Sequence, residues 1–175
     1  MLRLLRQTKT ESVSENQVDT HVSRMKRDVY IALGSNLGDR WQYLRDAVDG
    51  LPDVVACSSV YETEPIGGPD NQGAYLNMVV KLNTELEAGE LLRHAYKLER
   101  NAQRVRIEKD GPRTLDVDIL VIKGEEHDTE TLTVPHPRMW ERNFVLTPLR
   151  EIAPELVPEG SEARAVGEVW VAGSL

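Results

Sequence analysis

Gly111-Pro112-Arg113-Thr114-Leu115-Asp116-Val117-Asp118-Ile119-Leu120-Val121-Ile122 sets two carboxylates two residues apart in a run that is otherwise apolar and β-branched from Leu115 onward. Such a run, opened by Gly-Pro and closed by Lys123-Gly124, reads as a β-strand, and a strand alternates its side chains. Asp116 and Asp118 therefore share one face, while Leu115, Val117 and Ile119 share the other. Two unpaired negative charges at roughly 7 Å along a strand repel and lose hydration, whereas one or two divalent cations turn that cost into a binding site. An arbitrary Asp-x-Asp is more often a pair of solvated acids on an edge strand. Here the context favours the metal seat, because Arg113 stands immediately before the strand and Arg104-Val105-Arg106 just upstream. Guanidinium forks that match phosphate oxygens thus flank the carboxylates.

Upstream of that strand lie a polar stretch at 101–112 and a helical pattern from about 87 to 100, with Leu91, Leu92, Ala95 and Leu98 on one stripe. Before these come a strand at 75–83, a Pro/Gly/Asp loop at 64–74 and a strand at 54–63. A helix capped near Asp39, with Trp41, Leu44, Ala47, Val48 and Leu51 inward, follows a first strand at 28–33 and the turn Gly34-Ser35-Asn36-Leu37-Gly38. That turn lacks the Gly-Lys-Ser/Thr ending of a phosphate-cradling loop and reads as structural. The order βαββαβ predicts an α+β fold with a ferredoxin-like core, an antiparallel sheet with helices packed on one face. A turn near Gly124, a short strand at 131–134, a short helix at 142–150 and a C-terminal extension complete it.

Residues 28–175 suit one domain, with one hydrophobic core as the default for this length. Residues 7–27 are Ser/Thr/Glu/Asn-rich, so 1–27 is expected to be a disordered leader, with Met25 a second candidate start. The 21 basic and 29 acidic residues give a net charge of -8, which argues against a nucleic-acid duplex or an anionic membrane as partner and makes any anion site local. A single cysteine, Cys57, fits a reducing cytoplasm and a buried packing role. No run of about 18 apolar residues is present to span a bilayer.

Cations mixed with metal-binding carboxylates suit a nucleoside triphosphate, since phosphoryl-group transfer needs positioning and charge stabilisation more than a strong base. Glu64-Pro65-Ile66-Gly67-Gly68-Pro69 and Tyr75-Leu76-Asn77 offer a different surface. Tyr75 can stack on a flat heterocycle and Asn77 can donate and accept in its plane, although a capped loop and a core aromatic explain them equally well. His136, in Val134-Pro135-His136-Pro137-Arg138, is a rigidly held imidazole with no assigned role as a base.

Taken together, Tyr30-Ile31-Ala32-Leu33-Gly34-Ser35-Asn36-Leu37-Gly38-Asp39-Arg40, Tyr75-Leu76-Asn77, Gly111 to Asp118 and Val134 to Arg138 closely resemble the 6-hydroxymethyl-7,8-dihydropterin pyrophosphokinases of folate synthesis. The resemblance implies transfer of pyrophosphate from ATP to the hydroxymethyl group of the reduced pterin. It implies that Asp116 and Asp118 ligate two Mg²⁺ ions brought with ATP, and that Arg104 and Arg106 close over the phosphates. Arg113, His136 and Arg142 fall on ATP-phosphate contacts, and Glu99, Ile119, Leu132 and Thr133 on nucleotide contacts, the last three by backbone or packing. Thr63, Glu64, Pro65, Ile66, Tyr75, Asn77 and Phe144 fall on the pterin pocket. The chain departs from the family at Lys109-Asp110, where Arg-Trp is usual, so its lid is expected to close less firmly. The expected protein is a cytoplasmic monomer, a weak dimer being the alternative, with ATP and the pterin as its partners.

Two other classes compete. A Mg-dependent nucleotidyltransferase also joins a Gly-Ser turn to Asp-x-Asp, but those elements sit close in sequence there and far apart here. A ferredoxin-like RNA-binding module is disfavoured by the acidic charge and by strands without an exposed aromatic cluster.

Overall fold

The computed structural model describes residues 24–69, 72–105 and 111–175. In chain order the elements are Arg27–Ser35 (β1), Arg40–Gly50 (α1), Val54–Cys57 (β2), Val60–Thr63 (β3), Tyr75–Thr84 (β4) and Ala88–Asn101 (α2). Asp116–Ile122 (β5), the two-residue strands His127–Asp128 (β6) and Thr133–Val134 (β7), Asn143–Ile152 (α3) and Val169–Gly173 (β8) follow. The main sheet runs β5-β1-β4-β3-β8, with β2 also on β4, and every pairing within it is antiparallel. The α+β, βαββαβ core is therefore present as expected.

Local chemistry sets the boundaries. The Asp39 side chain accepts the Gln42 N–H at 3.0 Å and opens α1. A capping box opens α2, Glu90 reaching back to the Glu87 N–H at 2.7 Å. The strand expected at 54–63 is two strands, because Ser58 Oγ accepts the Val79 N–H at 2.9 Å and donates to the Ser59 carbonyl at 2.7 Å, replacing regular ladder bonds with local ones. The strand expected at 131–134 shrinks to Thr133–Val134, since Thr129 and Leu132 close a turn on each other.

Helices cover both faces of the sheet rather than one. Val29, Ile31, Leu33, Val117 and Ile119 pack against Leu44 and Ala47 of α1 and Leu91, Ala95 and Leu98 of α2. Tyr30, Val79 and Leu120 pack instead against Val145, Leu146 and Leu149 of α3. A register shift between Tyr30 and Ile31 bulges β5, so that Leu120 and Val121 both join this second core. The apolar spacing of α3 and the alternation of β1 together demand that second layer. Strand β8, from the C-terminal extension, pairs with β3, Val169 opposite Thr63 and Trp170 opposite Glu62.

Candidate active site

Strand β1 lies between β5 and β4, and its register draws the site together. Gly34 is opposite Asp116 on one side and Asn77 on the other, and Ala32 is opposite Asp118. The floor of the site is built from small residues. A Cβ on Gly34 would stand 3.0 Å from Asn77 Oδ1 and 3.8 Å from Asp116 Cβ, so the missing side chain is what lets the amide and the carboxylate share one row. Above this floor an open cleft is walled by Thr63, Glu64, Ile66, Gly67 and Tyr75 on one side. Arg113 stands beside the carboxylates, and Arg138, Glu141, Arg142, Phe144, Val145 and Val166 close the cleft from the α3 side.

Electrostatics divides the two aspartates. Asp116 is fully engaged: one oxygen accepts from Arg104 at 2.5 Å and the other from Arg113 at 2.8 Å. Arg104 is also held by Glu99, whose carboxylate accepts the Val117 N–H at 3.3 Å and so ties α2 to the start of β5. The Arg113 guanidinium stacks over the Tyr75 ring at 5.9 Å, and Arg142 over Phe144 at 5.5 Å. Burial, reinforced by the Asp116 charge and opposed by Arg142, pushes Asp118 up to about 7. His136 is lowered, first by burial and then by Arg142, so its imidazole is neutral near pH 7. Its backbone N–H donates to Leu120 O at 2.8 Å, while its Nδ1 receives the Arg138 N–H at 3.2 Å.

A divalent cation fits this donor set. Two carboxylates on one strand face, one of them raised by burial and by the charge of the other, are what a hard cation relieves. No cluster of three or more His, Cys, Asp or Glu side chains able to hold a metal occurs among the described residues.

Of the residues singled out from sequence, Thr63, Glu64, Ile66, Tyr75, Asn77, Arg113, Asp116, Asp118, Arg142 and Phe144 line the cleft. Arg104 and Glu99 adjoin it through the Asp116 ion pairs. Pro65, Leu132, Thr133 and His136 are not part of its wall, and Ile119 is buried in the core under α1 and α2. Arg106, Lys109 and Asp110 lie outside the described residues. Cys57, expected to be buried packing, is exposed at the end of β2.

Beyond the wall residues Arg138, Glu141 and Val145, three features of the site escaped the sequence reading. Gly34, read as a turn, is inside a strand. Asn36 is a buried hub: its N–H donates to Arg113 O at 3.1 Å, its Oδ1 accepts the Arg113 N–H at 2.8 Å, and its amide donates to Gly73 O at 3.2 Å. The segment bearing Arg113 and the loop leading to Tyr75 are thereby joined through one side chain. Val166 arrives from the C-terminal extension. An Asn one residue past an apolar strand was the only local signal for the second of these; the third had none.

The model of 7,8-dihydro-6-hydroxymethylpterin-pyrophosphokinase (HPPK) matches residues 30–154. The chain belongs to the HPPK family. A relative from Bacillus subtilis, named 2-amino-4-hydroxy-6-hydroxymethyldihydropteridine pyrophosphokinase, is 46% identical over 154 residues, covering 83% of this chain and 92% of its own. A relative of the same name from Aquifex aeolicus is 42% identical over 132 residues, 74% of this chain and 82% of that one. Among solved structures, a Plasmodium falciparum HPPK-DHPS chain superposes with a TM-score of 0.54 at 14% identity, over 77% of this chain and 42% of that one. That likeness supports the fold, and this HPPK chain spans less than half of the HPPK-DHPS protein.

Proposed function

We propose that this HPPK-family chain transfers pyrophosphate from ATP to the hydroxymethyl group of 6-hydroxymethyl-7,8-dihydropterin, giving AMP and the pterin diphosphate in folate synthesis. The observation that carries the reading is the row Asp116–Gly34–Asn77 across three strands, which sets a cation-binding carboxylate beside an amide able to read a heterocycle edge. Asn77 already donates to Thr63 Oγ1 at 2.8 Å, which fixes its orientation before a ligand arrives. Tyr75 and Phe144 supply aromatic surface for the pterin, with Glu64 and Ile66 as its wall and Pro65 between them in the chain. Glu99, Ile119, Leu132 and Thr133 serve the nucleotide, and Arg113, His136 and Arg142 its phosphates.

Mg²⁺ brought with ATP would neutralise phosphate charge and polarise the β-phosphorus, and Asp116 and Asp118 are the residues that would hold it, as two ions. Arg113, 2.8 Å from one Asp116 oxygen, holds that carboxylate in orientation. Arg104, restrained by Glu99, stands ready to exchange the carboxylate for phosphate oxygens, and Arg106 acts with it. The pterin hydroxyl oxygen forms the new bond to the β-phosphorus as the bond to the α-phosphate oxygen breaks, AMP keeping that electron pair and the hydroxyl proton passing to solvent. The working form is a cytoplasmic monomer that needs neither nucleic acid nor membrane; among the described residues no helix is long and apolar enough to cross one.

Incubation of the purified chain with ATP, Mg²⁺ and the reduced hydroxymethylpterin tests the reading. AMP and pterin diphosphate in equal amounts are expected; ADP with a pterin monophosphate would instead mark a simple kinase.

A further inference from the structure

The chain after α3 turns back across the mouth of the cleft. At the start of α3 it is bonded in place: the Val166 N–H donates to Glu141 O at 2.9 Å, and Val166 O accepts the Asn143 N–H at 2.9 Å. The Asn143 side-chain amide donates to Ala165 O at 3.3 Å. Three residues later the same chain is in register with β3, Val169 opposite Thr63. This strap therefore joins the turn bearing Arg142 and Phe144 to the strand ending at Thr63, and it lies beyond the residues 30–154 that the family model matches.

Gly167 stands at its centre. Its φ is +94°, in the region that strains any residue with a side chain, and a Cβ there would meet Ile66 Cδ1 at 2.8 Å. The Ile66 side chain thus rests against the strap backbone itself. Ile66 and Val166 both line the cleft, half-exposed and apolar, together with Thr63 and Phe144.

We propose that the strap is a specificity-determining wall of the pterin slot, with Gly167 as its positioning residue. Val166 and Ile66 present an apolar edge to a flat ring, and the absent Cβ at Gly167 sets how far Ile66 stands into the slot. A shift of about 1 Å in one wall forfeits a large part of the dispersion contact with a rigid ring, so the wall discriminates by fit. The proposal rests on the pyrophosphokinase reading and adds to it a segment outside the family match.

The test uses the full chain, a non-hydrolysable ATP analogue and Mg²⁺, with the reduced hydroxymethylpterin as titrant. Gly167→Ala is expected to raise the pterin Kd about tenfold while the Kd of the ATP analogue stays within about twofold, since the moved atom belongs to the pterin wall alone. Adding Ile66→Val removes the atom that clashes, and pterin affinity is expected to return to that of Ile66→Val by itself. Val166→Ala carries no backbone strain and keeps the question open if Gly167→Ala fails to fold; its pterin Kd is expected to rise about threefold, again with ATP unaffected. An unchanged pterin Kd in the variants that fold, equal losses for both ligands, or a double variant no better than Gly167→Ala would overturn the assignment. A native chain that binds no pterin sinks the pyrophosphokinase reading itself, which the native control reports separately.

Discussion

Asp118 sits where folding and function pull in opposite directions. A carboxyl buried beside another carboxylate destabilises the ligand-free fold, and the same two charges are what a bound cation requires. Asp118→Asn is therefore expected to lower turnover by at least about 10²-fold, the usual cost of removing one preorganised electrostatic group, while raising the ligand-free Tm at pH 8. Asp116→Asn shares the loss of turnover without the gain, since it abandons Arg104 and Arg113. Steady-state rates at saturating Mg²⁺ together with thermal melts decide it, and a stable Asp118→Asn with near-normal turnover would remove the metal assignment. Across the row, Asn77→Ala should cost the pterin about 1–3 kcal/mol of binding by leaving ring-edge groups unmet. Gly34→Ala should act in the same direction, because a Cβ 3.0 Å from Asn77 Oδ1 forces that amide aside. Pterin titration on the ATP-analogue complex measures both, and unaltered affinity in both contradicts the role given to Asn77. Period-two spacing made the aspartates legible in the sequence. Gly34 was not legible as a floor residue, because its neighbours at Asp116 and Asn77 are fixed by strand pairing over more than eighty and more than forty residues respectively, and no local pattern encodes that.

Elements with a strong local signal were read close to their final bounds: β1, α1, β4, α2 and β5 each combine a clean period with a cap or turn. The misreadings fall where a side chain overrides the period. Ser58 breaks one expected strand into β2 and β3, and Glu151 of α3 then secures the break by accepting the Ser59 N–H at 2.9 Å and the Tyr61 hydroxyl at 3.0 Å. Pairing of β1 with β4 carries its own testable charge chemistry. Asp28 is lowered, first by the hydrogen bond from Lys81 and then by that from Asn83, and Lys81 is raised by its bond to Asp28, 2.9 Å away. A carboxyl lowered on folding adds stability that is present above its unfolded value near 3.8 and is lost as pH falls through the lower folded value. A raised lysine adds stability that is present below 10.5 and is lost as pH rises through the higher folded value. Lys81→Met should therefore give a Tm that falls less steeply than the native one on acidification below pH 4, and also less steeply on alkalinisation above pH 10. Thermal melts across those two ranges check it; parallel curves for the two proteins would show that the pair contributes nothing.

At the scale of the molecule, an acidic chain must attract a polyanion, and the two facts meet only in the cleft. The net charge of -8 repels ATP at long range, whereas Arg113, Arg138 and Arg142 face Glu64, Asp116, Asp118 and Glu141 within the cleft wall. Field lines from the whole surface therefore do not steer the nucleotide inward; short-range contacts and the accompanying cation hold it once it arrives. Salt separates the two contributions, because the screening length falls from about 30 Å at 0.01 M to about 8 Å at 0.15 M, cutting the distant repulsion far more than contacts in the cleft. The association rate of the Mg²⁺-bound ATP analogue is accordingly expected to rise over that range, by about two- to fivefold, the reverse of an electrostatically steered encounter. Its dissociation rate should rise as well, since exposed guanidinium–phosphate contacts are screened in turn. Stopped-flow binding at fixed free Mg²⁺ reads both rates. An association rate that falls steadily with salt would mean that the arginines of the cleft dominate the field well beyond its mouth, and the picture of a purely local anion site would have to be given up.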